Sequence, residues 1–180
     1  PPTASYTLSL HDALPISLDV LRGIEGARMK QTYALLATQI GVTWQGRRYD
    51  RSKPHAADLP NQALNHAASA VEAAAAIAVA ATATVPQLGF IHEDPGQSFV
   101  LDIADLYRDQ VTIPCAFHAA KEVTQRPDLN IERVTRRKTG KTLAKDQVIP
   151  AMIELIKSLF DTDADAKKDR PHADGDGRDA

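Results

Sequence analysis

The run AASAVEAAAAIAVAATATV, Ala67–Val85, is mostly alanine and carries one charge, Glu72. Alanine is the strongest helix former, and its small side chain lets neighbouring elements come close. This run is the nearest thing in the chain to a membrane segment. It lacks the Leu, Ile and Phe content that makes insertion favourable, so it reads as a tightly packed core helix. A chain built around such a helix must supply its larger apolar groups from elsewhere.

The flanking segments supply them with helical spacing. From Leu18 to Ile40, the residues Leu21, Met29, Tyr33, Leu36 and Ile40 share one stripe, and Gly41 follows as a stop signal. Asn61 is a fitting cap for the alanine-rich helix, and Ser98 for a helix through Tyr107. Pro114 opens a helix to about Thr124. Ile131–Lys145 is a basic helix with Gly140 as a possible break, and Pro150 begins an amphipathic helix through Phe160. No alternating period-2 run occurs, so the fold class is all-α. Apolar residues make up 43% of the 180 and charged residues 24%, ordinary values for a soluble globular domain.

The ends differ from the middle. Residues 1–17 have no clear period and resemble translated sequencing-adapter DNA. They are set aside as a non-native, disordered lead-in, a native N-terminal arm being the other reading. They show no basic n-region of a signal peptide. From Asp161 onward there are seven aspartates against four Lys/Arg, which predicts a disordered acidic tail over 161–180. One domain therefore spans 18–160. The lone cysteine, Cys115, excludes an internal disulfide and fits a reducing cytoplasm.

Within the helical stripe of the first segment one position is acidic. Glu25 lies four residues from both Leu21 and Met29, where burial of a carboxylate is costly without compensation. Gly23 and Gly26 flank it and would let a ligand or another backbone approach. In GFIHEDPGQSFVLDIADLY, His92 sits on a turn, and Asp102 and Asp105 share one face of the helix that follows. Taken alone, the aspartates are equally a solvated face. Taken with Glu25 and His92, they form oxygen ligands plus one imidazole, a set suited to Mg²⁺ or Mn²⁺ rather than to a structural zinc site. GRRYDRSK places Arg47, Arg48, Arg51 and Lys53 around Tyr49, and Lys121–Lys145 holds eight Lys/Arg against three acids. Basic clusters with an aromatic suit phosphate contact and base stacking, or simply a solvated surface.

Three other patterns fail as motifs. TGKT, Thr139–Thr142, lacks the first glycine of a phosphate loop, which would fall at Thr135. DTDADAKKD begins like a calcium loop, but Ala166 and His172 occupy the required glycine and glutamate positions. Cys115 and His118 share a helical turn among apolar neighbours and read as core.

LRGIEGARMKQTYALLATQIGVTWQGRRYD (21–50) and LGFIHEDPGQSFVLDIADLY (88–107) resemble the CRISPR-associated integrase of spacer acquisition, in its type I-E form. The resemblance covers most of Leu18–Phe160. It implies the family's all-α catalytic domain. The family's small N-terminal β-domain has no counterpart here, so the chain is read as N-terminally truncated. It further implies a divalent metal, Mg²⁺ or Mn²⁺, held by Glu25, His92 and Asp105. The resemblance also implies that Asp102 is required for activity close to the metal and that Tyr49 contacts DNA.

The implied activity is metal-dependent DNA cleavage and integration, inserting short foreign spacers into a CRISPR array during antiviral adaptation. The implied partners are double-stranded DNA (spacer precursor and repeat), a second copy of the chain and a small ferredoxin-like adaptation subunit. No membrane is implied, and the implied location is the bacterial cytoplasm. Glu72 and Leu101 replace aromatic residues of the relatives. The rival reading is a non-catalytic helical DNA-binding or scaffold domain.

Overall fold

A computed structural model describes residues 17–48 and 58–161, and no strand occurs among them. The expectations for the lead-in before Ser17, for Tyr49 and for the tail beyond Asp161 lie outside the described residues. Six α-helices follow in order: α1 Leu18–Ile40, α2 Leu59–Ala81, α3 Ser98–Asp105, α4 Ile113–Gln125, α5 Ile131–Lys145 and α6 Val148–Phe160. A π-helical turn, Arg108–Thr112, joins α3 to α4.

Helix α2 is the alanine-rich segment and forms the centre, in contact with α3, α4, α5 and α6. By length and composition it could cross a membrane, but Ala63, Ala67, Ala74, Ala75 and Ala78 are buried inside the bundle. Those alanines let the larger groups of the neighbours reach the axis. One side of the core joins Val71, Ala75 and Val79 to Phe99, Ile103, Met152 and Ile156. The other joins Leu64 and Ala67 to Met29, Ile113, Phe117 and Ala120. Truncating a fully buried aromatic such as Phe117 costs about 3–5 kcal/mol.

Several boundaries differ from the sequence reading. The cap of α2 is Asp58, whose side chain accepts from the Asn61 N–H at 2.9 Å, so α2 starts earlier. Pro60 fits in the first turn, where its missing N–H has no intrahelical partner to lose. The helix at Ser98 stops at Asp105 before the π-helical turn. Helix α5 runs unbroken through Gly140, and Gly41 ends α1 at φ 79°.

The stripe of α1 is buried only in its second half. Met29 and Ala37 pack on α4, and Tyr33 stacks on Trp44 with ring centroids 5.1 Å apart. Ahead of Met29, Leu21 is 47% exposed and the Glu25 side chain 56% exposed. The expectation of a buried Glu25 is therefore corrected. Ahead of Met29 no described side chain of α1 is buried, and that half of the helix is held by Arg22, which donates to the Ile91 carbonyl at 3.1 Å and faces Glu93 at 3.7 Å.

Candidate metal and nucleic-acid site

The turn before α3 is folded around one carboxylate. Asp102 Oδ1 accepts the backbone N–H of His92 at 3.0 Å and lies 2.7 Å from its ring Nδ1. Asp102 Oδ2 accepts the N–H of Ile91 at 3.1 Å and that of Phe90. The Asp102 side chain is 8% exposed. Burial alone would raise its pKa. The bonds from His92, Ile91 and Phe90 outweigh burial and hold it below the usual carboxylate range. Gly89 makes this close wrap possible. A Cβ there would stand 2.6 Å from Ser98 Cβ and 2.9 Å from both Asp102 Oδ2 and the His92 carbonyl. Asp94 closes the turn by accepting from the N–H groups of Gly96 and Gln97 at 2.8 and 3.0 Å.

With Nδ1 engaged by Asp102, His92 turns Nε2 toward Asp105, 3.7 Å from its Oδ2. One α-helical turn separates the two aspartates, so Asp102 faces the turn while Asp105 faces a cavity of about 420 Å³. Burial raises the Asp105 pKa, offset in part by Arg108 and His92. Arg108 pairs with the other Asp105 oxygen. The π-helical turn begins at Arg108, and such turns recur at functional sites because they re-aim side chains.

Glu25 stands apart from this pair. Both its oxygens are taken by Arg28, at 2.8 and 2.9 Å, and Arg28 also reaches Asp109 at 3.4 Å. The Arg28 hydrogen bond outweighs partial burial and lowers the Glu25 pKa, with a smaller push from the Arg108 charge. Gly23 and Gly26 have open space where a side chain would be. Among the described residues, no three His, Cys, Asp or Glu side chains are spaced to hold one metal ion.

Arg47 lines the same cavity as His92 and Asp105. It donates to Asn61 Oδ1 at 3.1 Å and Asn65 Oδ1 at 2.7 Å. Asn61 is fully buried and also accepts the Arg48 N–H at 2.8 Å and donates to the Gly46 carbonyl at 3.0 Å. The segment before Tyr49 is thereby fixed to α2. Arg48 is exposed beside a second cavity of about 610 Å³ that also holds Lys121 and Asp58 but no histidine.

Among the cavity-lining residues that escaped the sequence reading as site residues are Tyr33, Glu72 and Arg108. Tyr33 was assigned to a core stripe, and its ring is indeed packed on Trp44 and Phe117. Glu72 had a signal, a single acid in an alanine helix. Thr139–Thr142 lies within α5, away from any loop, and Cys115 is a buried free thiol.

The family model for CRISPR associated protein Cas1 matches residues 4–149. The CRISPR-associated endonuclease Cas1 of Escherichia coli K12 is 39% identical over 142 residues, covering 78% of this chain and 46% of that protein. A protein of Thermus thermophilus with the name CRISPR-associated endonuclease Cas1 2 is 36% identical over 157 residues, covering 86% of this chain and 47% of that protein. A solved structure described as a crystal structure of a TtCas1-DNA complex superposes with a TM-score of 0.75 at 35% identity, covering 83% of this chain and 56% of that one. The chain thus spans about half the length of the curated relatives it matches.

Proposed function

The chain belongs to the CRISPR-associated protein Cas1 family, and from that premise we propose that it is the helical catalytic part of a metal-dependent DNA endonuclease and integrase that inserts short foreign spacers into a CRISPR array. The observation that carries the reading is the His92 arrangement. A buried aspartate holds Nδ1 at 2.7 Å and leaves Nε2 facing a second carboxylate across 3.7 Å. A carboxylate behind a histidine is the usual support for a metal-ligating imidazole, because it fixes the tautomer and the ring plane.

The donors fit a divalent ion in part. The 3.7 Å between His92 Nε2 and Asp105 Oδ2 is a separation that two ligands at about 2.1 Å from one ion can span. Glu25 would be the third ligand and must first leave Arg28. When bound, Mg²⁺ or Mn²⁺ supplies Lewis-acid stabilisation of charge on the scissile phosphate. The chain's own residues do the rest. Asp102 keeps His92 in one tautomer and orientation. Arg47 and Arg108 present guanidinium groups to the cavity, where they would hold phosphate oxygens. Arg48 and Tyr49 would extend that contact along the strand.

Double-stranded DNA is the proposed substrate, in keeping with the solved TtCas1-DNA complex that the chain resembles. A homodimer joined to a small ferredoxin-like adaptation subunit, in the bacterial cytoplasm, is the proposed assembly. The test is nicking of branched DNA with Mn²⁺. Activity that depends on Mn²⁺ and disappears in His92→Ala and Asp105→Asn supports the reading, and activity unchanged in both variants removes it.

A further inference from the structure

Tyr33 belongs both to the core and to the cavity that holds His92 and Asp105. Its ring stacks on Trp44 with centroids 5.1 Å apart and tilts against Phe117 with centroids 6.3 Å apart. Close packing between two aromatic neighbours holds the ring in place, so the core aims its hydroxyl. That hydroxyl stands at the cavity, within electrostatic reach of Arg108, Arg47 and Asp105. Among the described residues it makes no hydrogen bond, although a largely buried tyrosine usually finds a partner for its O–H. Burial raises the phenol pKa above its ordinary value, with Arg108 and Arg47 opposing in part, so the group is protonated at neutral pH and available as a donor.

Charge in the cavity is close to balance. Arg47 and Arg108 share it with Asp105 and Glu72, and Arg108 already pairs with Asp105. A phosphate group entering there gains little from net charge, so preorganised, directed donors decide where it settles. Arg47 is placed by its bonds to Asn61 and Asn65 of α2, and Tyr33 by its stack in the core. The two form one wall, since both also line the apolar hollow beside Met29 and Trp44. We propose that Tyr33 is a substrate-contacting residue, its hydroxyl donating to a non-bridging oxygen of the DNA phosphate that Arg47 holds in this cavity. The inference rests on the DNA-cleaving reading above and adds a contact that reading does not assign. The guanidinium supplies charge, and the phenol supplies direction at a point fixed before DNA arrives.

Tyr33→Phe removes the hydroxyl and keeps the stack on Trp44. Its melting temperature should match that of the parent, because no bond within the protein is lost. Metal-free fluorescence anisotropy with a branched DNA oligonucleotide should show affinity lower on the order of tenfold, as for a hydrogen bond to a charged group. Nicking with Mn²⁺ should fall by a similar factor. The same DNA with methylphosphonates at the linkages around the nicked position lacks the anionic oxygens, and on it the gap between parent and Tyr33→Phe should close. A gap that persists there, or a lowered melting temperature in Tyr33→Phe, makes the hydroxyl structural and overturns the contact. Equal affinity and equal nicking in parent and Tyr33→Phe, with nicking abolished in His92→Ala, also overturn it and leave the nuclease reading standing. A parent that binds branched DNA without nicking it removes the nuclease reading alone, and the binding comparison still decides Tyr33. Absence of both binding and nicking in the parent overturns both.

Discussion

Asp102 and His92 are joined twice, ring to carboxylate at 2.7 Å and backbone N–H to the same oxygen at 3.0 Å. The second aspartate oxygen takes the two preceding N–H groups, so one side chain fixes both the path of the turn and the plane of the imidazole. Asp102 is therefore a positioning residue. Its oxygens serve the turn, and His92 and Asp105 face the cavity.

Replacing Asp102 by Asn separates these roles. The amide nitrogen would oppose one or more of the N–H donors, and the buried bonds lost cost about 1–3 kcal/mol. The expected outcome is a folded protein with a lower melting temperature. Mn²⁺ affinity should fall about 10–100-fold, the usual loss when the residue behind a histidine ligand is removed. Calorimetric titration of the folded variant checks this, and retention of full affinity would show that the ring needs no such support.

Gly89→Ala should break the same turn from the other side. Its Cβ would meet Ser98 Cβ at 2.6 Å and Asp102 Oδ2 at 2.9 Å, closer than these atoms can approach. Neither neighbour can retreat easily, since Ser98 is buried and Asp102 is bonded to three backbone groups. Overpacking of this kind typically costs about 1–3 kcal/mol. Thermal unfolding should show that loss, and the distinct His92 ring signals in an NMR spectrum should broaden or move. The opposite result, an unshifted His92 with unchanged stability, would mean that the turn is slacker than its packing implies.

The pH dependence of metal-free stability has two limbs of opposite sign. Burial raises the Asp105 pKa above its unfolded value of about 3.9. Between the two values the native state holds a proton that the unfolded state has released, so stability grows as pH falls through the raised value. Glu72, also raised by burial, adds to this limb. Asp102 has the reverse shift, and its contribution is present above about 3.9 and lost as pH falls through its lowered pKa. A stability maximum near the ordinary carboxylate range, at about pH 4, follows. Melting curves from pH 3 to 8 should show it (range set around the carboxylate values, roughly), and Asp105→Asn should flatten the upper limb while leaving the lower one intact.

The sequence carried the helices well because their signals are local. Leu18–Ile40 ends at Gly41 in the structure as its spacing and its glycine imply, and the alanine run is the central helix. The errors lie where tertiary contact decides. Glu25 shares a stripe with Met29, but burial requires a partner helix, and only Met29 joins the core that includes α4. Asp102 and Asp105 look alike at i and i+3. Only the folded turn reveals that one is wrapped by backbone donors and the other left facing a cavity. Arg108 and Tyr33 reach that cavity from positions that show no pattern in the chain, since the first opens a π-helical turn and the second lies on a core stripe.

Thr139 offers a test that concerns stability alone. It lies within α5, fully buried, and its hydroxyl has no oxygen or nitrogen partner among the described residues, only the weak neighbouring Cys115 thiol. Thr135, one turn earlier and equally buried, shows the ordinary solution: its hydroxyl donates to the Ile131 carbonyl at 2.7 Å. The neighbouring Cys115 thiol donates to Thr142 at 3.4 Å and touches the Thr139 hydroxyl only weakly. An unsatisfied buried hydroxyl forfeits its bonds to water and gains nothing in return, a penalty of about 1–3 kcal/mol. Valine has nearly the same shape and no hydroxyl, so Thr139→Val should raise stability by about 1 kcal/mol. Thr135→Val should instead lose stability, because it removes a bond that is made. Paired denaturant titrations of the two variants decide the matter. A loss of stability in Thr139→Val equal to that in Thr135→Val would mean that the Thr139 hydroxyl is bonded in solution, with the Cys115 sulfur as the nearest candidate acceptor.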